Sequence, residues 1–187
     1  MQIARWGGTM LKKTWLHFKL ITKHRWIVFK LCCKVGIPWR GLIHDLSKYS
    51  FAEFLESAKY YVGYKSPIQV ARQERQYYLA WLHHKGRNKH HEEYWYDWNA
   101  PVKAPIIPYK YTIEMLCDNL SAGIVYKGKE FTNDYPLWYW NNKKNKELFH
   151  PKMITFFEDV FTEISKKGID AVLKKDILKE KYSKHCK

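Results

Sequence analysis

GLIHDLSKYS, residues 41–50, is the stretch on which the reading of the whole chain turns. It sets a histidine and an aspartate side by side, His44-Asp45, between segments with helical signals. The spacing predicts a short helix over 42–48. On it Lys48 lies four residues after His44 and three after Asp45, and so faces the same pocket. Ser50 reads as the N-cap of the next helix, 51–61, with Glu53 three residues on in the manner of a capping box.

Towards the N-terminus, Leu16, Leu20, Ile27 and Leu31 recur at helical steps and predict a helix over 14–35. Gly36 and Pro38 follow as stop signals. His17 and His24 are seven residues apart and share nearly one face of it. Towards the C-terminus, 67–84 reads as a helix ending near Gly86. The stretch 85–108 is punctuated by Gly86, Asn88, Asn99, Pro101, Pro105 and Pro108 and reads as a loop. Residues 111–126 read as a helix, and 128–145 as irregular and aromatic. His150-Pro151 opens a helix to 166, Gly168 breaks it, and 169–187 reads as a basic, solvated tail. There is no alternating run of the kind a sheet needs, and no internal repeat. The expectation is an all-α, single-domain helical bundle over 1–187, with its core within about 14–165 and long aromatic-rich loops.

Composition narrows the classes. With 46% hydrophobic and 17% aromatic residues, the chain is too apolar to be disordered. A formal charge of +15 fits an anionic partner: nucleic acid, an anionic membrane surface, or a phosphorylated small molecule such as a nucleotide. The lysines are spread along the chain, which equally suits a solvated basic surface. Cys32, Cys33, Cys117 and Cys186 form no C-x-x-C pair and read as reduced thiols of a cytoplasmic protein. The apolar stretch 15–33 is broken by charged and histidine residues, so no membrane span is expected.

The histidines carry the chemistry. Of nine, His83, His84, His90 and His91 crowd into one short run. Imidazole suits Fe, Mn, Ni or Zn, and the neighbouring carboxylate of Asp45 adds charge and can bridge two ions. Two ligands do not fix a metal, so His24 and Asp118 are the natural further donors beside His44 and Asp45. His24 is favoured over His17 because it lies closer in sequence to the His-Asp turn; His17 is left a place near substrate. Asp118 is favoured over Glu114, four residues earlier on the same face, which would then orient a ligand or a water. At least one of His83 and His84, and one of His90 and His91, is expected as a ligand of a second ion. Between them, Arg87 and Lys89 suit a phosphate, Arg as a fork and Lys as a point charge. Lys48 can stabilise charge on a phosphoryl oxygen. Trp95, Tyr96, Trp98, Trp138, Tyr139 and Trp140 suit base stacking or, more commonly, packing.

The order His24, His44-Asp45, Asp118 resembles that of the HD-domain metal-dependent phosphohydrolases. The histidines in between resemble the binuclear branch, including the HD-GYP cyclic-dinucleotide phosphodiesterases. Their HD-x-x-K segment is matched by His44-Asp45-Leu46-Ser47-Lys48, while the GYP segment is absent. A nearer resemblance joins GLIHDLSKYS, AWLHHKGRNKHHEEYW at 80–95 and EMLCDNLSAG at 114–123 to an uncharacterised family of bacterial and phage proteins, a domain of unknown function. It spans roughly 14–165 and brings no activity with it. The HD resemblance implies one or two divalent transition-metal ions and hydrolysis of a nucleotide, a cyclic dinucleotide or a related phosphoester. Asp45, Lys48 and Arg87 would then be the catalytic residues, and Arg87, Lys89 and His17 would bind substrate. Two other readings stand beside it: a nonenzymatic binder of nucleotide or nucleic acid, and an HD-fold di-iron oxygenase.

Overall fold

A computed structural model describes residues 9–187, and all regular structure among them is helical. The first helix, α1 (Met10–Lys34), is capped by Thr9 and turns back through Gly36, whose φ of 78° suits glycine. After it comes α2 (Pro38–Ile43), pressed so closely on α1 that a Cβ on Gly41 would lie 2.7 Å from Cys32 Cβ and 2.9 Å from Phe29 Cα. Then follow α3 (Phe51–Lys59), α4 (Pro67–Arg75), α5 (Leu79–Lys85), α6 (Tyr109–Lys127) and α7 (Tyr135–Asn141). The chain closes with α8 (Pro151–Lys167), α9 (Ile169–Val172) and α10 (Lys175–Cys186).

The core lies between α1, α6, α8 and α10. In α8, Met153, Phe156, Phe157, Val160, Phe161 and Ile164 form one buried stripe at steps of three and four. Each such side chain contributes about 1.5–3 kcal/mol relative to exposure. They meet Val28 and Leu31 of α1, Leu116 and Leu120 of α6, and Trp140, which packs on Phe149, Phe157 and Phe161. A smaller cluster, with Tyr60, Val70, Ala71 and Tyr78, holds α3, α4 and α5 together.

The helical class agrees with the sequence reading, and several boundaries do not. The helix expected over 42–48 is instead α2, ending at Ile43, followed by a 3₁₀ turn over Leu46–Tyr49. Adjacent residues of a continuous helix point about 100° apart. His44 and Asp45 both face inward only because the chain breaks between the two elements, with Asp45 left-handed at φ 53°. The single helix expected over 67–84 is two, broken at Gln76 (φ 68°), where Ala80 N donates to Glu56 Oε2 (2.6 Å) at the start of α5. Ser50 holds the expected N-cap position of α3 but its side chain makes no cap hydrogen bond, and Glu53 is buried, its carboxylate on His83 and His84. The aromatic stretch 128–145 contains α7.

The expected solvated tail is α9 and α10. Leu178, Tyr182 and Cys186 recur every fourth residue and bury against α8 and α6, with Tyr182 Oη donating to Ile107 O (2.7 Å). Lys181 bridges Asp159 (2.9 Å) and Glu163 (2.7 Å) of α8. The lysines that suggested a tail line the outer side of a docked helix. Leu178→Ala should therefore cost about 2–5 kcal/mol in urea unfolding. The exposed neighbour Lys179→Ala should stay within about 0.5 kcal/mol. Equal effects would mean that α10 is not docked.

Candidate metal centre

The centre forms where α1, the His44-Asp45 turn, α5 and its following loop converge on α6. Arg25 of α1 ties the turn in place, its Nε donating to His44 O (2.7 Å) and its Nη2 to Leu42 O (2.9 Å). His44 and Asp45 are 1% and 0% exposed. The Asp45 carboxylate points two ways. Oδ2 lies 3.3 Å from His44 Nε2 and 2.5 Å from Lys48 Nζ; Oδ1 lies 3.2 Å from both His84 Nε2 and His90 Nε2.

Two groups of donors therefore share one carboxylate. The first is His24, His44, Asp45 and Asp118; the second is Asp45, His84, His90 and His91. Within each, one ligand atom per residue lies within 4.8 Å of every other. Asp118 Oδ1 sits 2.9 Å from His24 Nε2 and 3.5 Å from His44 Nε2. The Nε2 atoms of His24, His44, His84, His90 and His91 and both Asp45 oxygens are buried without a partner in hydrogen-bonding geometry. Buried polar atoms are rarely left so. Seven such atoms gathered in two groups could be satisfied by one or two divalent cations, and a mixed imidazole and carboxylate set would suit Fe, Mn, Ni or Zn.

Further carboxylates hold the imidazoles from behind. Glu114 Oε1 is 3.1 Å from His44 Nδ1 and 3.4 Å from His90 Nδ1. Glu53 Oε2 is 2.7 Å from His84 Nδ1. With Nδ1 of His44 and of His84 hydrogen-bonded on the protein side, their Nε2 atoms are left facing Asp45, the usual way of fixing tautomer and ring direction at a metal ligand. Glu114 is itself wholly buried and held by Arg40, whose Nε (2.7 Å) and Nη2 (2.6 Å) both reach Oε2 while its plane stacks on Tyr111. On the other side, Asn88 Nδ2 donates to Ser47 Oγ (3.1 Å) and His84 O (2.8 Å), fastening the loop after α5 to the 3₁₀ turn.

The electrostatics follow from this crowding. Burial pushes the Glu114 carboxyl up, but hydrogen bonds from His44 and His90 outweigh it and bring the pKa to about 2. Burial likewise opposes ionisation of Asp45 and Asp118; the surrounding imidazoles, with Lys48 beside Asp45, hold both well below the usual carboxylate range. Burial presses His44 and His84 towards neutrality, yet Asp45 and its companion carboxylates raise both. His24 and His91 are lowered, chiefly by burial. The site concentrates buried negative charge, and a divalent cation competes with protons for it.

Not every expected residue joins the groups. His83 points away: its Nδ1 meets Glu53 Oε1 (2.8 Å) and its side chain is 36% exposed, one residue round the helix from His84. His17 is buried against Phe54 (5.4 Å) and Tyr61 (5.8 Å), outside both groups; burial and then the Lys48 charge lower its pKa to about 4. Arg87 is exposed, and Lys89 lies over the rings of Tyr94 and Tyr111. Sequence reasoning missed Arg25, Arg40, Ser47 and Asn88, and read Glu53 as a cap. Only Glu114 carried a signal for its orienting role, the four-residue step to Asp118.

Removing Arg40 leaves a buried carboxylate short of its cation, so Arg40→Ala should destabilise by about 3–5 kcal/mol. A cycle with Glu114→Gln should show coupling of at least about 1 kcal/mol. Additive effects would contradict the pairing.

Among curated proteins and among solved structures, none matches this chain. A family model matches residues 13–163, which take in the His44-Asp45 turn, the loop histidines and Asp118. The chain belongs to that family, the family of unknown function DUF5662.

Proposed function

We propose that this protein is a metal-dependent phosphohydrolase of the HD type with a binuclear centre. The observation that carries the reading is the sharing of Asp45 between two donor groups whose inward nitrogens are buried beside carboxylates without hydrogen-bonding geometry to them. His24, His44, Asp45 and Asp118 would hold one ion; Asp45, His84, His90 and His91 the other. Bound divalent ions of this class acidify water near neutral pH and withdraw charge from phosphoryl oxygens.

The protein's own groups do the rest. Glu114 and Glu53 keep the imidazoles aimed, so that little reorganisation accompanies reaction. Lys48, its side chain 31% exposed beside wholly buried Asp45, sets a fixed positive charge where the centre meets solvent. Burial lowers its affinity for a proton, but the Asp45 and Asp118 carboxylates more than restore it. Arg87 and Lys89, on the loop between His84 and His90, suit the remaining charge of a nucleotide or related phosphoester.

Elemental analysis of protein purified without added metal should find one to two transition-metal ions per chain. Asp45→Asn, common to both groups, should remove most of this metal. His24→Ala and His91→Ala should each deplete one ion, and His83→Ala neither. Metal-loaded protein should release phosphate or nucleoside monophosphate from a broad panel of nucleotides and cyclic dinucleotides. Lys48→Ala should lower kcat by about 10²-fold. No release across the panel, with metal content unchanged in His44→Ala, would sink the proposal. Oxygen consumption by an iron-loaded protein without phosphate release would move the reading to a di-iron oxygenase, which the same donor set fits.

A further inference from the structure

We propose that the outer face of α1 binds an anionic lipid surface, with the helix lying in the plane of the membrane. A helix turns about 100° per residue, so positions 11, 15, 18, 26 and 29 fall in one stripe. They are Leu11, Trp15, Phe18, Trp26 and Phe29. Leu11 is 84% exposed and Trp15 and Trp26 58% each, while the opposite face buries His17, Ile21, His24 and Val28. The stripe runs about 27 Å along the helix at about 1.5 Å per residue. It is built as a surface in its own right: Trp15 stacks on Phe18 and Trp26 on Phe29. Beside it, α2 packs on α1 at Phe29 and Cys32 and carries Trp39, 67% exposed, and Leu42.

Charge decides the occupant. By the same rotation Lys12, Lys19, Lys23 and Lys30 fall in a second row, along one side of the stripe. All four are exposed, and none has a carboxylate partner among the described residues. Nine lysines and arginines precede Asp45, the first acidic residue of the chain. A second copy on this face would set lysine rows against each other with no acid between them. A nucleic-acid strand would satisfy the lysines but gives no role to exposed Leu11 and Leu42, because strand binders use a basic groove with stacking platforms. A lipid surface uses both: headgroups take the lysines, indole rings sit at the interface, and leucine reaches the acyl boundary. No helix among the described residues is long and apolar enough to cross a membrane, so α1 lies on it. The face is independent of the proposed reaction, although His24 hangs from the reverse side of the same helix.

The test is sedimentation of the intact protein with vesicles of phosphatidylcholine alone and of equal parts phosphatidylcholine and phosphatidylglycerol. Binding to the anionic vesicles is expected, with a blue-shifted tryptophan emission that brominated acyl chains quench. Replacing Lys12, Lys19, Lys23 and Lys30 by Gln should weaken partitioning by about fivefold per lysine. Trp15→Ser with Trp26→Ser should abolish the acyl-chain quenching. A charge-matched control, with Lys174, Lys179, Lys184 and Lys187 replaced by Gln, should stay within about fivefold, since the attraction decays within a Debye length. All substituted side chains are exposed, and unchanged melting curves establish that the variants fold. An equal loss in the control, or binding without acyl-chain quenching, overturns the proposal. So does binding of a single-stranded oligonucleotide through the same four lysines without binding to vesicles.

Discussion

The structure depends on burying the carboxylate of Asp45. An ionised carboxylate is very costly to take out of water unless it is paired, and this one is wholly enclosed. Its neighbours are His44, Lys48, His84 and His90, drawn from a turn, a 3₁₀ helix, α5 and the loop beyond. Each of those elements brings a nitrogen to it. The left-handed backbone of Asp45 belongs to the same arrangement, because only that break aims two consecutive side chains into one cavity. Backbone strain of this kind costs roughly 1–3 kcal/mol and persists where the surroundings over-determine it. Here α1 does so, through Arg25 on the turn's carbonyls and through the close seat of Gly41.

Behind the histidines the same problem recurs with Glu114. It lies in the second turn of α6, between buried Ile113 and Met115, where an apolar side chain would pack without cost in charge. Its carboxylate is balanced by the Arg40 fork and spans two imidazoles that belong to different donor groups. One buried glutamate thus couples the orientation of both halves of the centre. Glu53 does the corresponding work for His84 from the partly exposed side, and holds His83 outside. His83 and His84 show how completely helix rotation separates adjacent residues of one type.

Helix α1 serves the core and the candidate centre from one face and presents the proposed lipid surface on the other. Its inner face supplies Val28 and Leu31 to the core and His24 to the centre. Its outer face presents rings and leucine to solvent, and a row of lysines runs alongside. Few helices in a compact domain are apolar on both sides, and a basic border is what separates a surface for lipid from a second packing face.

Much of the centre was legible in the sequence. His24, His44-Asp45 and Asp118 were expected together and lie together, and three of the four histidines of the run 83–91, His84 on α5 with His90 and His91 on the loop after it, lie in the second group. The start of α8 at His150-Pro151 and its end at Gly168 were legible because capping chemistry is local. Other features were not. Glu53 matches the capping box at Ser50, and nothing local distinguishes a glutamate that caps from one that turns inward to two histidines. Leu178, Tyr182 and Cys186 were present at helical spacing, but the lysines between them carry the same composition as a solvated tail. The sequence by itself determined the helical class and the inventory of donors, since periodicity and side-chain chemistry are properties of neighbouring residues. Tertiary structure alone decided which nitrogen faces Asp45, which glutamate stands behind it and which histidine stays outside, because those depend on the rotation of one helix against another.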